Sequence, residues 1–298
     1  MKKILKIYWQ TLIIPLVIAI FVFSLFLILF PRQKPLLGMG NSSVTLTKKM
    51  NKKVIHYVAI GDSLTEGIGD QTNSGGFVPL VANDLEENYQ LNGVQVENYG
   101  KNGDRSDQIL KRIKKNHEIQ KSLTSADIIT VTVGGNDLMQ VFSKNMLSLT
   151  VATFKQPAKH YEQKVTSLLE EIRSYNKKAP IYILGIYNPF YLYFPDIKEI
   201  QEIVDDWNIH TLSAIEKQND MYFISINNLL YKGINNKTGI VAEDSSNKKN
   251  MDITNDALYE EDHFHPNNLG YQLMAKAIRK ELDKTQKNWF AGERELDN

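Results

Sequence analysis

VIHYVAIGDSLTEG, residues 54–67, is the stretch on which the reading of this chain turns. Residues 54–60 are mostly apolar and stop abruptly at Gly61, as a short strand buried in a sheet does. The heptad that follows, Gly61-Asp62-Ser63-Leu64-Thr65-Glu66-Gly67, puts a serine on a tight turn from strand to helix. There its hydroxyl is exposed and close to backbone N–H donors. The heptad lacks the Gly-Lys-Ser/Thr of a P-loop and the Gly-x-Gly-x-x-Gly of a dinucleotide turn. Taken alone, it reads better as a glycine-rich turn with a helix-capping serine.

Outward from this turn, apolar spacing predicts helices over 77–89, 106–115, 137–149, 157–176, 198–217 and 269–282. Further strands are predicted over 94–98, 127–133, 181–186 and 222–226, with residues 228–262 irregular and polar. Strands alternating with helices of this length imply a parallel sheet covered on both faces. Ligands of such sheets bind beyond the carboxyl ends of the strands, and three more polar clusters fall at strand ends or in a late loop. Asn98-Tyr99-Gly100-Lys101-Asn102-Gly103-Asp104-Arg105-Ser106 follows the second strand, where glycine lets a backbone N–H approach a ligand unobstructed. Gly134-Gly135-Asn136-Asp137 follows the third, with Asn136 offering an amide donor or a plain helix cap. Asp262-His263-Phe264-His265-Pro266 precedes the last helix, and a carboxylate three residues before a histidine can orient its ring.

The joint occurrence of GDSLTEG, NYGKNGDRS, GGND and DHFHP, in this order, resembles the four blocks of the SGNH/GDSL hydrolase family. The resemblance spans about residues 54–283, and is nearest to bacterial lysophospholipase/thioesterase-like esterases and to membrane-anchored lipase/acylhydrolase proteins of Gram-positive bacteria. It implies an α/β, flavodoxin-like three-layer fold with a five-stranded parallel sheet. By the same resemblance Ser63 is the nucleophile, His265 its general base and Asp262 the orienting acid. The N–H groups of Ser63 and Gly103 and the side chain of Asn136 form the oxyanion hole, and neither cofactor nor metal is required. His263 is set aside because the family's base immediately precedes the proline. The expected activity is hydrolysis of a carboxylic ester or thioester through an acyl-enzyme on Ser63, on an acylated glycan, a lysophospholipid or another acyl ester. Acyl transfer to a cell-wall or sugar hydroxyl would use the same residues, and a catalytically silent binding protein is the third reading.

Composition bounds the rest. The chain has 298 residues, 42% hydrophobic and 23% charged, enough to bury a substantial core. Of 35 basic and 34 acidic residues, five basic ones (Lys2, Lys3, Lys6, Arg32 and Lys34) and no acid lie in residues 1–35. That leaves 30 against 34, a net charge of −4, with no general attraction for nucleic acid. The absence of cysteine excludes disulfides, thiolate metal sites, a cysteine nucleophile and a lipidated N-terminal cysteine. No charge interrupts residues 7–31, and roughly 20 apolar residues cross a bilayer. One N-terminal transmembrane helix is therefore expected, with residues 1–35 as cytoplasmic stub and anchor. Tyr8 and Trp9 sit where interfacial aromatics belong. A cleaved signal peptide is the alternative, but its apolar region is usually about 7–15 residues, and no small-x-small site follows Phe30. Residues 36–53 read as a linker, 54–285 as the hydrolase domain, at the outer face of the cell membrane, and 286–298 as a tail. Asp244, Asp252, Asp256, Glu260 and Glu261 lack EF-hand spacing and read as a solvated loop. Tyr187, Phe190, Tyr191, Tyr193 and Phe194 follow the fourth strand, as candidates for a pocket or for core packing.

Overall fold

The computed structural model describes residues 54–145, 149–216, 218–233 and 255–290. Among these, five parallel strands make one sheet in the order β2-β1-β3-β4-β5. They are β1 (Val54–Gly61), β2 (Gly93–Gly100), β3 (Ile128–Thr132), β4 (Ile181–Leu184) and β5 (Met221–Ile224). Alternation along β1 sends Ile55, Tyr57 and Ala59 to one face and Val58 and Ile60 to the other. Both sets are fully buried because both faces carry helices. One face is covered by α3 (Ser106–Lys115), α4 (His117–Ser125), α5 (Gly135–Lys144), α6 (Val151–Tyr175) and α7 (Lys198–Ile215). The other carries α2 (Phe77–Tyr89), α8 (Asn227–Leu230), α9 (Asn268–Lys284) and α10 (Gln286–Trp289). The three-layer architecture and the parallel sheet are those expected.

Several boundaries differ, each for a local reason. The helix expected from 157 begins six residues earlier, at Val151, where the Thr150 hydroxyl caps Thr153 N–H at 3.3 Å. Pro157 thus sits inside α6, where a proline start would be the usual reading and where one i→i−4 bond is lost. The unexpected α4 is short and has a weak apolar pattern, but Asn116 Oδ1 caps Glu118 N–H and Ile119 N–H at 2.8 and 3.4 Å. α5 starts at Gly135 and ends at Lys144, ahead of the expected 149. β2 runs eight residues rather than five, pairing with β1 along its whole length from Val54↔Gly93 to Gly61↔Gly100. In the described part of the stretch 228–262, α8 overlaps its start, and an isolated bridge pairs Leu258 with Pro266. Trp289, in the expected tail, is buried with its ring 4.8 Å from that of Tyr89, so packing continues past residue 285.

The expected transmembrane anchor in residues 1–35 and the linker 36–53 lie outside the described residues, as do Asp244 and Asp252. Among the described residues, no helix is long and apolar enough to cross a membrane.

Candidate active site

After β1 the chain makes the expected tight turn into a helix, but with Asp62 rather than Ser63 as its cap. α1 (Ser63–Glu66) begins directly at Ser63, and the N-cap Asp62 accepts Leu64 N–H at 3.1 Å. Asp62 Oδ1 also accepts the Thr132 hydroxyl at 2.7 Å, tying the turn to the end of the neighbouring β3. Burial pushes the Asp62 carboxyl up from its usual value, against the pull of these hydrogen bonds. Gly61 admits no side chain, since a Cβ there would stand 2.2 Å from Thr132 Oγ1. The GDS turn is thus specified by packing as well as by chain direction.

The segment just before α9 places the histidine over this turn. His265 Nε2 lies 2.9 Å from Ser63 Oγ, across 202 residues of sequence. His265 Nδ1 lies 2.6 Å from Asp262 Oδ2, and Asp262 Oδ1 accepts the N–H groups of Phe264 and His265, both at 2.9 Å. Burial raises the Asp262 carboxyl, but the His265 ring, these two N–H groups and the nearby imidazole charge outweigh it and hold it below its ordinary value. An ionised Asp262 selects the tautomer with hydrogen on Nδ1, leaving Nε2 free to accept the serine proton. His263 is turned elsewhere: its backbone adopts φ 49°, and its ring meets the edge of Tyr193 at 5.8 Å. The backbone before His265 is anchored by the buried Tyr187, whose hydroxyl donates to Phe264 C=O.

Asn136 and Gly103 meet through Asp104. The Asn136 amide donates to Asp104 C=O at 3.0 Å, and Asn136 shares with Ser63 a cavity of about 40 Å³. Gly103 sits beside Asp104 with φ +80°, a conformation that favours glycine, and no neighbour crowds it. It is not part of the cavity wall. The N–H groups of Ser63 and Gly103 make no hydrogen bond to a described residue, so both are free to donate.

Two supports were not legible in the motifs. Arg112 spans the site's back, donating to Tyr99 C=O at 2.7 Å, Gly61 C=O at 3.0 Å and Asp104 Oδ2 at 3.0 Å. It joins the ends of β1 and β2 to the Gly103 loop. Asp137 reaches across to α3, accepting Ser106 N–H at 2.9 Å and the Ser106 hydroxyl at 2.6 Å. Of the aromatics after β4, Tyr187 lines the cavity, Phe190 packs behind Phe264 at 6.5 Å, Tyr191 meets Tyr231 edge-on, and Tyr193 and Phe194 are exposed. His56, His117, His160 and His210 are paired away from the site, with Glu97, Gln120, Gln156 and Glu162. Among the described residues no group of three or more His, Asp or Glu is placed to hold a metal ion.

A histidine linking a serine to a carboxylate at the carboxyl edge of a parallel α/β sheet is an arrangement in which a base can reach a hydroxyl, the class of site that hydrolases of this fold carry. Comparison with known proteins narrows it. Residues 59–273 match the GDSL-like lipase/acylhydrolase family, and the chain belongs to that family. It is 36% identical over 233 residues to the uncharacterized protein YpmR of Bacillus subtilis, covering 78% of this chain and 83% of that protein. It is 26% identical over 229 residues to the spore germination lipase LipC of Bacillus licheniformis, covering 76% and 95%. The lipase Lip_vut3 from a goat rumen metagenome shares the fold, with a TM-score of 0.61 at 23% identity, covering 80% of this chain and all of that one. The family makes the protein a carboxylic ester hydrolase.

Proposed function

We propose that the protein cleaves carboxylic esters or thioesters through an acyl-enzyme on Ser63. The observation that carries this reading is the hydrogen-bonded line Ser63–His265–Asp262, at 2.9 and 2.6 Å. A serine hydroxyl is a weak nucleophile near neutral pH and needs a base within reach. His265 Nε2 takes the proton as Ser63 Oγ bonds to the acyl carbon, and Asp262 stabilises the imidazolium. The carbonyl oxygen gains negative charge, met by the N–H groups of Ser63 and Gly103 and by the second amide hydrogen of Asn136. Each such donor is worth roughly 3 kcal/mol of barrier. Collapse expels the alcohol, which takes the proton back from His265. A water then repeats the sequence in reverse and releases the acid. The apolar run over residues 7–31 supports a second part of the reading, that the domain is held at the outer face of the cell membrane.

An organophosphonate ester probe tests the first part. It should label the wild-type protein at Ser63 and leave Ser63→Ala unlabelled and without turnover. Label retained by Ser63→Ala would assign the nucleophile elsewhere.

A further inference from the structure

We infer that the acyl side of this site selects short chains, acetyl to butyryl, and that Ile186 sets the limit; the inference rests on the ester-hydrolase reading above. The cavity beside Ser63 holds about 40 Å³. A cavity of that size takes a short acyl tail and leaves no room for a long one. Asp62, Ser63, Thr132 and Asn136 are its polar residues, and the rest of its wall is mainly apolar: Leu64, Val133, Ile186, Tyr187, Pro189 and Phe264. Such walls suit a hydrocarbon tail and leave the hydroxyls of a sugar without partners.

The walls are also held in place. Val133, Ile186 and Tyr187 are buried. Asn208 on α7 clamps the backbone of Ile186 on both sides, accepting its N–H at 2.8 Å and donating to its C=O at 2.9 Å. Phe264 stands between the rings of His265 at 5.1 Å and Phe190 at 6.5 Å, and Phe190 rests on Phe142 at 5.7 Å. Tyr187 adds its bond to Phe264 C=O. Ile186, Tyr187 and Phe264 cannot move aside to admit a longer tail without breaking one of these contacts. Ile186 is the wall whose branch can be shortened without touching the Ser63–His265–Asp262 line.

The test is an acyl-length series of p-nitrophenyl esters, from acetate to decanoate, on the purified full chain at concentrations below substrate self-association. A methylene without room costs about tenfold or more in kcat/KM. Wild type should therefore lose at least about tenfold between butyrate and octanoate. Ile186→Ala should raise the octanoate-to-butyrate ratio by about tenfold, and Ile186→Val by a smaller factor in the same direction. Should Ile186→Ala fail to fold, Ile186→Val carries the comparison. Octanoate or decanoate cleaved as fast as butyrate by wild type would overturn the inference while leaving the hydrolase reading intact. An unchanged ratio in a folded Ile186 variant would remove Ile186 as the limit. No cleavage of any ester would instead overturn the hydrolase reading itself.

Discussion

Ser63 and Ser106 both open helices at the carboxyl edge of the sheet, and replacing each by alanine should have opposite consequences. Ser106 is fully buried, and its hydroxyl donates at 2.6 Å to Asp137, itself only 5% exposed. Ser106→Ala removes that bond and keeps the backbone one at 2.9 Å. A hydrogen bond to a charged group is worth about 1.5–3 kcal/mol, and the oxygen left behind has no water to turn to. At about 2–4 °C per kcal/mol for a domain of this size, Tm should fall by roughly 3–12 °C. Burial holds the Asp137 carboxyl above its ordinary value, and the lost hydroxyl pushes it higher. The deficit therefore belongs to the ionised form and shrinks as pH falls through the raised folded-state value. Because the bond joins the helices that carry Asn136 and follow Asp104, turnover should drop, but by less than about tenfold, or about 1.4 kcal/mol of barrier. Ser63→Ala loses only its one contact with the largely buried His265 ring, so stability should change by less than about 1 kcal/mol, while turnover disappears. Thermal melts of both variants, paired with p-nitrophenyl butyrate hydrolysis, read the two effects separately. A Ser106→Ala variant with unchanged Tm and no activity would refute the division of labour argued from the structure.

The neighbouring histidines should separate in the same assay. His265→Ala should lose roughly three to six orders of magnitude in kcat, whereas His263→Ala, which removes only an edge contact with Tyr193, should stay within about threefold. Comparable losses would leave the base unassigned. Asp262, whose carboxyl is held below its ordinary value, stabilises the fold above the unfolded carboxylate pKa, and that contribution is lost as pH falls through the lower folded value. Asp262→Asn should therefore show a smaller drop of Tm than wild type across that acid window, and an identical acid profile would remove the carboxylate from the account. Full-length protein should fractionate with membranes and need detergent for release, and protease added to intact cells should remove the catalytic domain. A mature N-terminus near Arg32 in the culture medium would show a cleaved signal instead.

What the sequence determined is what depends on neighbours in the chain. The apolar run of β1 ending in Gly61, the β-branched run of β3 and the glycine-rich turns after them specify local conformation, and a parallel three-layer fold follows from their alternation with helices. The site residues were legible for the same reason: Ser63, Asn136 and the Asp262–His265 pair stand at strand ends or in a short motif whose members bond within three residues. Other features depended on contacts made across space. Pro157 stands inside α6 because tertiary packing of Phe154, Ala158 and Tyr161 outweighs one missing backbone bond. The bonds of Arg112 to β1 and β2, of Asp137 to Ser106 and of Tyr187 to the His265 loop join residues 13 to 77 positions apart. Periodicity along the chain carries no signal for such pairs. The direction of the His263 ring, away from Ser63, depended on a backbone turn at His263, and the size of the cavity on which side chains converge behind Ser63. Both are properties of a packed interior, in which position is set by everything that surrounds a residue rather than by what precedes and follows it.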